Sequence, residues 1–315
     1  MAEDVIRLIS ATKSDFEKMS PVDLKLSIAK SEGRVVMGQH CLIPAMGEGL
    51  VQHVTNTEVM FAMGADMVLL NAFDFDDPST NIGLQGLSYR ELKALVGERP
   101  IGFYLGCSPY AKPSKSDEGR YNPMGMHASR EHVAQVVEWG ADFIVLGGDP
   151  GTGTKLQDIV DTCKWIKDEY GDRLFVFAGK WEDGFSEKVL GDPTADYDTC
   201  DMVRALIDAG ADCIDFPCPG TRGAITVEDI RELVTLTHTY KPGTLAMTFL
   251  NSSVEGADVD TIRAVTLLMK QTGADIHAIG DGGFAGMPTP ENIHQMSVTL
   301  KGRAYTYFRM ASTNR

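Results

Sequence analysis

The chain has 315 residues, of which 43% are hydrophobic and 23% are charged, and this composition excludes disordered and fibrous proteins. Its formal net charge of −15 argues against nucleic acid and anionic membranes as partners, because both select a positive protein surface. The sequence has neither an apolar run of about 18 residues nor an apolar signal segment. Its six cysteines form no C-x-x-C pair, so we interpret them as reduced thiols of a soluble, cytoplasmic protein.

The predicted elements begin with a helix at about residues 21–32, which is followed by eight strands. Most of these strands are short, continuous apolar runs, as is typical of parallel strands buried on both faces. We predict the strands at residues 35–43, 67–73, 101–107, 143–148, 174–180, 213–217, 245–250 and 276–280.

The tripeptide Gly-Ala-Asp precedes four of these strands, at residues 64–66, 140–142, 210–212 and 273–275. In each copy we expect the glycine to end a helix in a left-handed conformation and the aspartate to turn the chain into the next strand. Glycine-containing connectors of other sequence lie about midway between the copies, which reduces the period to roughly 35 residues, the length of one βα unit.

Helix starts can be predicted between the strands. Ser88 with Glu91 has the spacing of a capping box, Thr226 with Asp229 is a close variant, and Thr289 precedes a proline at the first helical position. Eight consecutive βα units resemble a (βα)8 TIM barrel with an extra N-terminal helix, and a doubly wound open sheet is the alternative. We expect a single domain over residues 1–315, with a helical extension at 1–34 and the barrel at 35–315.

Several loops that leave the strands are long, whereas the connectors that enter them are short. In a barrel the leaving loops all lie at the C-terminal face, where TIM-barrel enzymes place their active sites. We therefore expect the functional site at that face.

A glycine-rich loop follows the eighth strand and leads into the last helix. Glycines let backbone N–H groups approach an anion, and a helix N-terminus adds unpaired donors, so this loop resembles the phosphate site of many TIM-barrel enzymes. A tight turn that needs glycine for backbone reasons alone is the other interpretation. The candidate phosphate or substrate ligands are Gly280, Gly282, Gly283, Asn251, Ser252 and Arg222.

Lys180 ends the fifth strand and is the candidate for activating a carbonyl group. Burial would favour the neutral amine that forms a Schiff base, as in an aldolase-type lyase. The alternative is an ammonium paired with a carboxylate or with the substrate phosphate. Lysine-dependent barrel aldolases more commonly carry this residue on strand 4 or 6, so the position departs from their pattern.

His40, at the end of the first strand, and Asp149, in a glycine-rich loop after the fourth, are the candidates for moving a proton. A strand-end histidine that only forms hydrogen bonds is the competing interpretation of His40.

Carboxylates follow several strands, and oxygen ligands from separate strand ends would suit Mg²⁺, which bridges well to phosphate. The candidate metal ligands are Asp74, Glu182 and Asp281, and Mg²⁺ is the candidate cofactor. Solvated acids that stabilise their own loops are the simpler interpretation of each one.

These features together predict an enzyme that acts on a small phosphorylated metabolite by lyase (aldol-type) or related enolate chemistry, assembled as a homo-oligomer. A Mg²⁺-dependent enzyme similar to phosphoenolpyruvate mutase or isocitrate lyase is one alternative. A barrel that binds a phosphorylated ligand without catalysis is the other, since fold does not imply activity.

Overall fold

The computed structural model describes residues 5–108, 124–148, 152–182, 187–280 and 283–311. Eight parallel strands form a closed barrel in chain order, and the last strand pairs with the first. The predicted (βα)8 barrel is therefore confirmed. The strands are β1 (Val35–Cys41), β2 (Met67–Asn71), β3 (Ile101–Gly106), β4 (Phe143–Gly147), β5 (Val176–Gly179), β6 (Cys213–Pro217), β7 (Leu245–Leu250) and β8 (Ile276–Ile279).

The helices surround the barrel, and the capping boxes predicted at Ser88 and Thr226 are confirmed. No helix of the described ranges is long and apolar enough to cross a membrane. The helices are α1 (Lys13–Phe16), α2 (Pro21–Ala29), α3 (Asn56–Ala62), α4 (Tyr89–Leu95), α5 (Arg130–Trp139), α6 (Leu156–Tyr170), α7 (Thr199–Asp208), α8 (Val227–Tyr240), α9 (Val259–Gln271) and α10 (Pro290–Ala311).

The apolar side chains of the strands fall into two clusters, because successive side chains of a strand point to opposite faces. One cluster fills the barrel and includes Met37, Phe177 and Met247. The other lies between barrel and helices, and includes Val36 of β1 packed with residues such as Met60 of α3. A side chain therefore faces the barrel interior or the helix layer according to its position along the strand.

The four Gly-Ala-Asp connectors are built alike. Each glycine has a positive φ, from 70° at Gly140 to 103° at Gly64, so the left-handed helix ends are confirmed. Each aspartate carboxylate accepts a hydrogen bond from the first part of the preceding strand, for example from the backbone N–H of Ile101 to Asp142 at 2.8 Å. We call these four residues the strand-capping aspartates: Asp66, Asp142, Asp212 and Asp275, which cap Val36, Ile101, Val176 and Ala246.

Each strand-capping aspartate also binds a basic side chain from a helix. Lys93 of α4 lies 2.6 Å from Asp142, Lys167 of α6 lies 2.9 Å from Asp212, and His238 of α8 lies 2.8 Å from Asp275. The fourth base, Lys301 of α10, binds Asp66. Two βα units thus form one structural repeat, and the barrel contains four of them.

Candidate functional site

Lys180 follows β5, and its side chain is buried in the barrel wall. Lys180 directly follows Gly179, the last residue of β5. Because side chains alternate along a strand, it points to the same side as Val176 and Ala178, which belong to the cluster between the barrel and the helices. Its Nζ donates a hydrogen bond of 2.7 Å to the backbone oxygen of Thr154 and lies 3.6 Å from the Glu187 carboxylate. These contacts fit the alternative of an ammonium paired with a carboxylate.

His40 likewise faces the helix layer, so the structure does not bring it into the barrel interior. Its Nδ1 lies 3.0 Å from the Thr57 hydroxyl of α3, and the ring is fully buried. Burial lowers the pKa of His40 from 6.5 to about 3, so the ring is neutral. A fixed hydrogen bond on the outer face fits the competing interpretation, in which His40 has a structural role.

The loops after β6 and β7 bring three of the predicted substrate ligands together. Arg222 Nη2 lies 3.5 Å from the backbone oxygen of Asn251, and Ser252 follows Asn251 in the chain. The Ser252 hydroxyl accepts a hydrogen bond from Val254 N and thereby caps the short 3-10 helix Ser253–Gly256. All three residues are partly exposed, so they can meet a ligand from solvent.

The loop after β7 also contacts the end of β8. A β-carbon built at Gly280 would overlap the carboxylate of Glu255, so the absence of a side chain at Gly280 leaves room for that carboxylate. A phosphate directly at Gly280 would meet this negative charge. Gly283 has a φ of 65°, and a β-carbon built there would meet no atom within 4 Å. It is closer in sequence than Gly280 to the N-terminus of α10.

The start of α10 is fixed to the same loop. Asn292 Nδ2 donates hydrogen bonds to the backbone oxygens of Glu255 and Ala257, at 3.0 and 2.8 Å. Thr289 accepts a hydrogen bond from Asn292 N through its hydroxyl, which supports the predicted helix start. The loops after β7 and β8 and the first turn of α10 therefore form one wall of the C-terminal face.

The candidate metal ligands are not assembled into a site in the described part of the chain. One carboxylate oxygen of Asp74 accepts backbone hydrogen bonds from Asp76 and Asp77, each at 3.0 Å, and so stabilises its own loop. Glu182 is partly buried after β5. Among the described residues no three His, Cys, Asp or Glu side chains are grouped to hold a metal ion. Asp149, Asp281 and Gly282 lie outside the described residues.

Asp215 is the polar residue that the sequence interpretation missed. It lies in β6 between Cys213 and Pro217, pairs with Gly179 and Met247 of the neighbouring strands, and is fully buried on the inner face. Within the described residues neither carboxylate oxygen has a hydrogen-bond partner. Burial raises the pKa of Asp215 well above 3.8, while the Cys213 thiol acts in the opposite direction. Burial therefore favours the neutral carboxyl group over the carboxylate.

Trp181 lies on the same inner face, two residues after Gly179. Its ring stacks on Phe249 at a centroid distance of 5.1 Å and meets Tyr104 edge to face at 6.0 Å. A β-carbon at Gly147 would lie 2.9 Å from the Trp181 ring, so the indole fits in this position because residue 147 has no side chain. The buried Nε1–H of Trp181 has no hydrogen-bond partner among the described residues.

A signal for Asp215 does exist in the sequence. The strand Cys-Ile-Asp-Phe-Pro at 213–217 is otherwise without charge, and a carboxylate in a strand buried on both faces needs a partner or a function. Trp181 carries no comparable signal, because an aromatic residue after a strand is more often part of the core.

The family model described as "Domain of unknown function (DUF7916)" matches residues 9–315. The chain belongs to this family. A second similarity is to inosine-5'-monophosphate dehydrogenase of Tritrichomonas foetus, which is 35% identical over 85 residues. That match covers 27% of this chain and 15% of the dehydrogenase, so the chain corresponds to a small part of the length of that relative.

Two solved structures share the general architecture of this DUF7916 member at low identity. One is 2,3-dimethylmalate lyase, a member of the PEP mutase/isocitrate lyase superfamily, with a TM-score of 0.46 and 11% identity over 85% of this chain and 81% of that one. The other is the BexX/CysO complex of Amycolatopsis orientalis, with a TM-score of 0.46 and 16% identity over 88% of this chain and 91% of that one. Likeness at this level concerns the fold alone.

Proposed function

We propose that this protein is an enzyme that acts on a small phosphorylated metabolite at the C-terminal face of its barrel, by lyase (aldol-type) or closely related enolate chemistry. The observation that carries the proposal is the position of Arg222 beside Asn251 and Ser252. A guanidinium, an amide and a hydroxyl on adjoining loops are the donors that bind a phosphate oxygen.

The position of these donors supports a phosphate group rather than another anion. TIM-barrel enzymes frequently bind phosphate with the loops after strands 7 and 8 and a nearby helix N-terminus. Here Asn251 and Ser252 follow β7, and Asn292 fixes the first turn of α10 to the same loop. The partial relative from T. foetus is named for a nucleoside monophosphate, which is also a small phosphorylated metabolite.

The contacts of Lys180 favour enolate chemistry over a lysine imine. An imine requires a free amine beside the substrate carbonyl. Lys180 instead donates to Thr154 O and lies near Glu187, on the side of the strand that faces the helices. An enolate needs only hydrogen-bond donors or a cation near its oxygen, which the face of the barrel can supply.

Binding measurements with matched ligands test the phosphate site. We expect phosphorylated sugars and keto-acid phosphates to raise the Tm, and their unphosphorylated counterparts to leave it unchanged. Arg222→Gln removes the guanidinium and should lower the affinity about tenfold or more. Arg231→Gln, on the exposed face of α8 where Arg231 binds Gln271 O, is the matched control and should bind as the wild type does. Equal effects of phosphorylated and unphosphorylated compounds would contradict the proposal.

Borohydride reduction in the presence of the same compounds separates the two chemistries. We expect turnover of an active compound without a reduced adduct on Lys180, as determined by peptide mass spectrometry. An adduct on Lys180 would establish an imine and would overturn the preference for an enolate, while the phosphate site would be unaffected.

A further inference from the structure

Two of the buried polar groups on the inner face of the described strands and loops lack a protein partner. They are the carboxyl group of Asp215 and the indole Nε1–H of Trp181, and among the described residues both have no hydrogen-bond partner. A buried polar group without a partner destabilises a folded protein, so two of them on one inner face require an explanation.

Both groups lie on the same side of the interior. The β-carbon of Asp215 is 2.9 Å from the position that a β-carbon would occupy at Gly179, and Trp181 follows Gly179 by two residues. The Trp181 ring lies against Gly147 of β4 at one end and stacks on Phe249 of β7. β7 pairs with β6, the strand that carries Asp215. At positions 147 and 179, therefore, β4 and β5 place no side chain in the interior.

The chemistry of the pair defines what it can bind. Asp215 is fully buried, pairs in register with Met247 and lies on the same inner face as Phe177, so its burial favours the neutral acid, whose hydroxyl can donate. The indole nitrogen can only donate. Two donors that lack an acceptor are complementary to a ligand oxygen that carries lone pairs and no hydrogen, such as a carbonyl or enolate oxygen.

We propose that Asp215, as a neutral carboxylic acid, and Trp181 bind the carbonyl oxygen of an enolisable substrate through hydrogen bonds and stabilise the enolate that forms from it. This assignment rests on the proposed function, to which it adds the residues that contact the reacting carbonyl. A neutral acid in an apolar site holds developing negative charge on oxygen without a metal ion or an imine, as in the known case of ketosteroid isomerase.

Infrared spectroscopy and ligand binding test the assignment together. The wild type minus Asp215→Asn difference spectrum at neutral pH should contain the C=O band of a carboxylic acid. Phosphoglycolohydroxamate, a phosphorylated enediolate analogue, should shift this band, and acetohydroxamate, which lacks the phosphate, should shift it at higher concentration.

Variants then measure the hydrogen bonds. Asp215→Ala should weaken the binding of phosphoglycolohydroxamate about tenfold or more, because a hydrogen bond to a charged oxygen is lost. Asp215→Asn keeps an N–H donor and should retain a larger part of the affinity. Trp181→Phe keeps the stacking on Phe249, and should weaken binding about fivefold or more through loss of the N–H. Met37→Leu, at an inner position of β1, is the packing control and should bind as the wild type does.

The outcomes distinguish this assignment from the proposed function. If phosphoglycolohydroxamate binds and depends on Arg222 but leaves the Asp215 band and the affinity of Asp215→Ala unchanged, the phosphate site stands and the assignment is wrong. If acetohydroxamate shifts the band and phosphorylated compounds have no advantage, the assignment stands and the phosphate site is wrong. A band that neither compound shifts would mean that Asp215 meets only internal water, which also overturns the assignment.

Discussion

The ammonium group of Lys301 binds the carboxylate of Asp66, which lies 235 residues earlier in the chain, and both side chains are fully buried. Lys301 belongs to α10, the helix that follows β8, whereas Asp66 caps β1 through the backbone N–H of Val36 at 2.9 Å. Arg309, which lies beyond the kink at Gly302 of α10, approaches Asp66 at 3.3 Å. The ion pairs thus connect the last helix to the first two strands and hold the barrel closed.

Loss of this ion pair should be costly. Lys301→Met removes the ammonium partner of the buried Asp66 and leaves Arg309 close to it, and we expect the free energy of unfolding to fall by about 3 kcal/mol. Lys164→Met is the control, because Lys164 and Asp168 form an exposed pair and should contribute about 0.5 kcal/mol or less. Urea denaturation measures both variants, and equal losses would contradict the role of Lys301 in closure.

The pair of His238 and Asp275 should make stability depend on pH. The hydrogen bond to Asp275 raises the pKa of His238 above 6.5, so the pair stabilises the fold fully below pH 6.5 and this contribution is lost as the pH rises through the folded-state pKa. The imidazole is 37% exposed, so solvent screening limits the effect to about 0.5 kcal/mol. Urea denaturation of the wild type and His238→Gln should differ at acidic pH and converge at alkaline pH. A difference that is constant with pH would show that the charge of His238 plays no part.

Asp215 should also make stability fall as the pH rises, but through the cost of burying its own charge rather than through loss of an ion pair. Its folded-state pKa is raised above 3.8, so above that pH the unfolded chain ionises while the folded protein stays protonated, and stability falls as the pH rises. Each unit of the raised pKa costs about 1.4 kcal/mol. We therefore expect Asp215→Asn to have a higher Tm than the wild type at neutral pH, with a difference that grows as the pH rises above about 4. A lower Tm of the variant at neutral pH would indicate that Asp215 has a structural role.

Substitutions at Gly280 and Glu255 test whether these two residues are packed against each other beside the candidate site. Gly280→Ala places a methyl group where the Glu255 carboxylate lies, and should destabilise the protein by about 1–3 kcal/mol. Glu255→Ala should relieve this overlap, so that the double variant is more stable than additivity predicts by about 1 kcal/mol. Gly223→Ala meets no atom within 4 Å and serves as the control. Additive effects in this cycle would show that the two residues are not in contact.

The fold could be predicted from sequence because each strand is a separate apolar run between recognisable connectors. β6 and β7 begin and end as predicted, and β5 is shorter than expected, at Val176–Gly179 rather than 174–180. The hydrogen bonds of the strand-capping aspartates could not be predicted from the sequence. Each of them binds the neighbouring strand rather than its own, for example Asp142 and Ile101, and that contact exists only after the strands pair.

The candidate site was harder to predict, because strands buried on both faces show no alternation between polar and apolar residues. Val176 and Ala178 are as apolar as Phe175 and Phe177, so the sequence does not tell which set faces the interior. For the same reason the sequence does not decide whether Lys180 faces the interior, as carbonyl activation requires. In the structure Trp181 takes the inward position, and Lys180 faces Thr154 and Glu187.

The fourfold repeat has a consequence for the framework as a whole. Lys301 binds Asp66 as Lys93 binds Asp142, so the unit that spans the ends of the barrel is equivalent to a unit within it. Four equivalent units arranged around a barrel give the framework approximate fourfold rotational symmetry, in which no unit differs from the others. The inner strand residues do not follow this equivalence, since the register places the carboxyl group of Asp215 in β6 between Gly179 and Met247, whereas β2, β4 and β8 carry apolar residues at the inner positions of their own repeats.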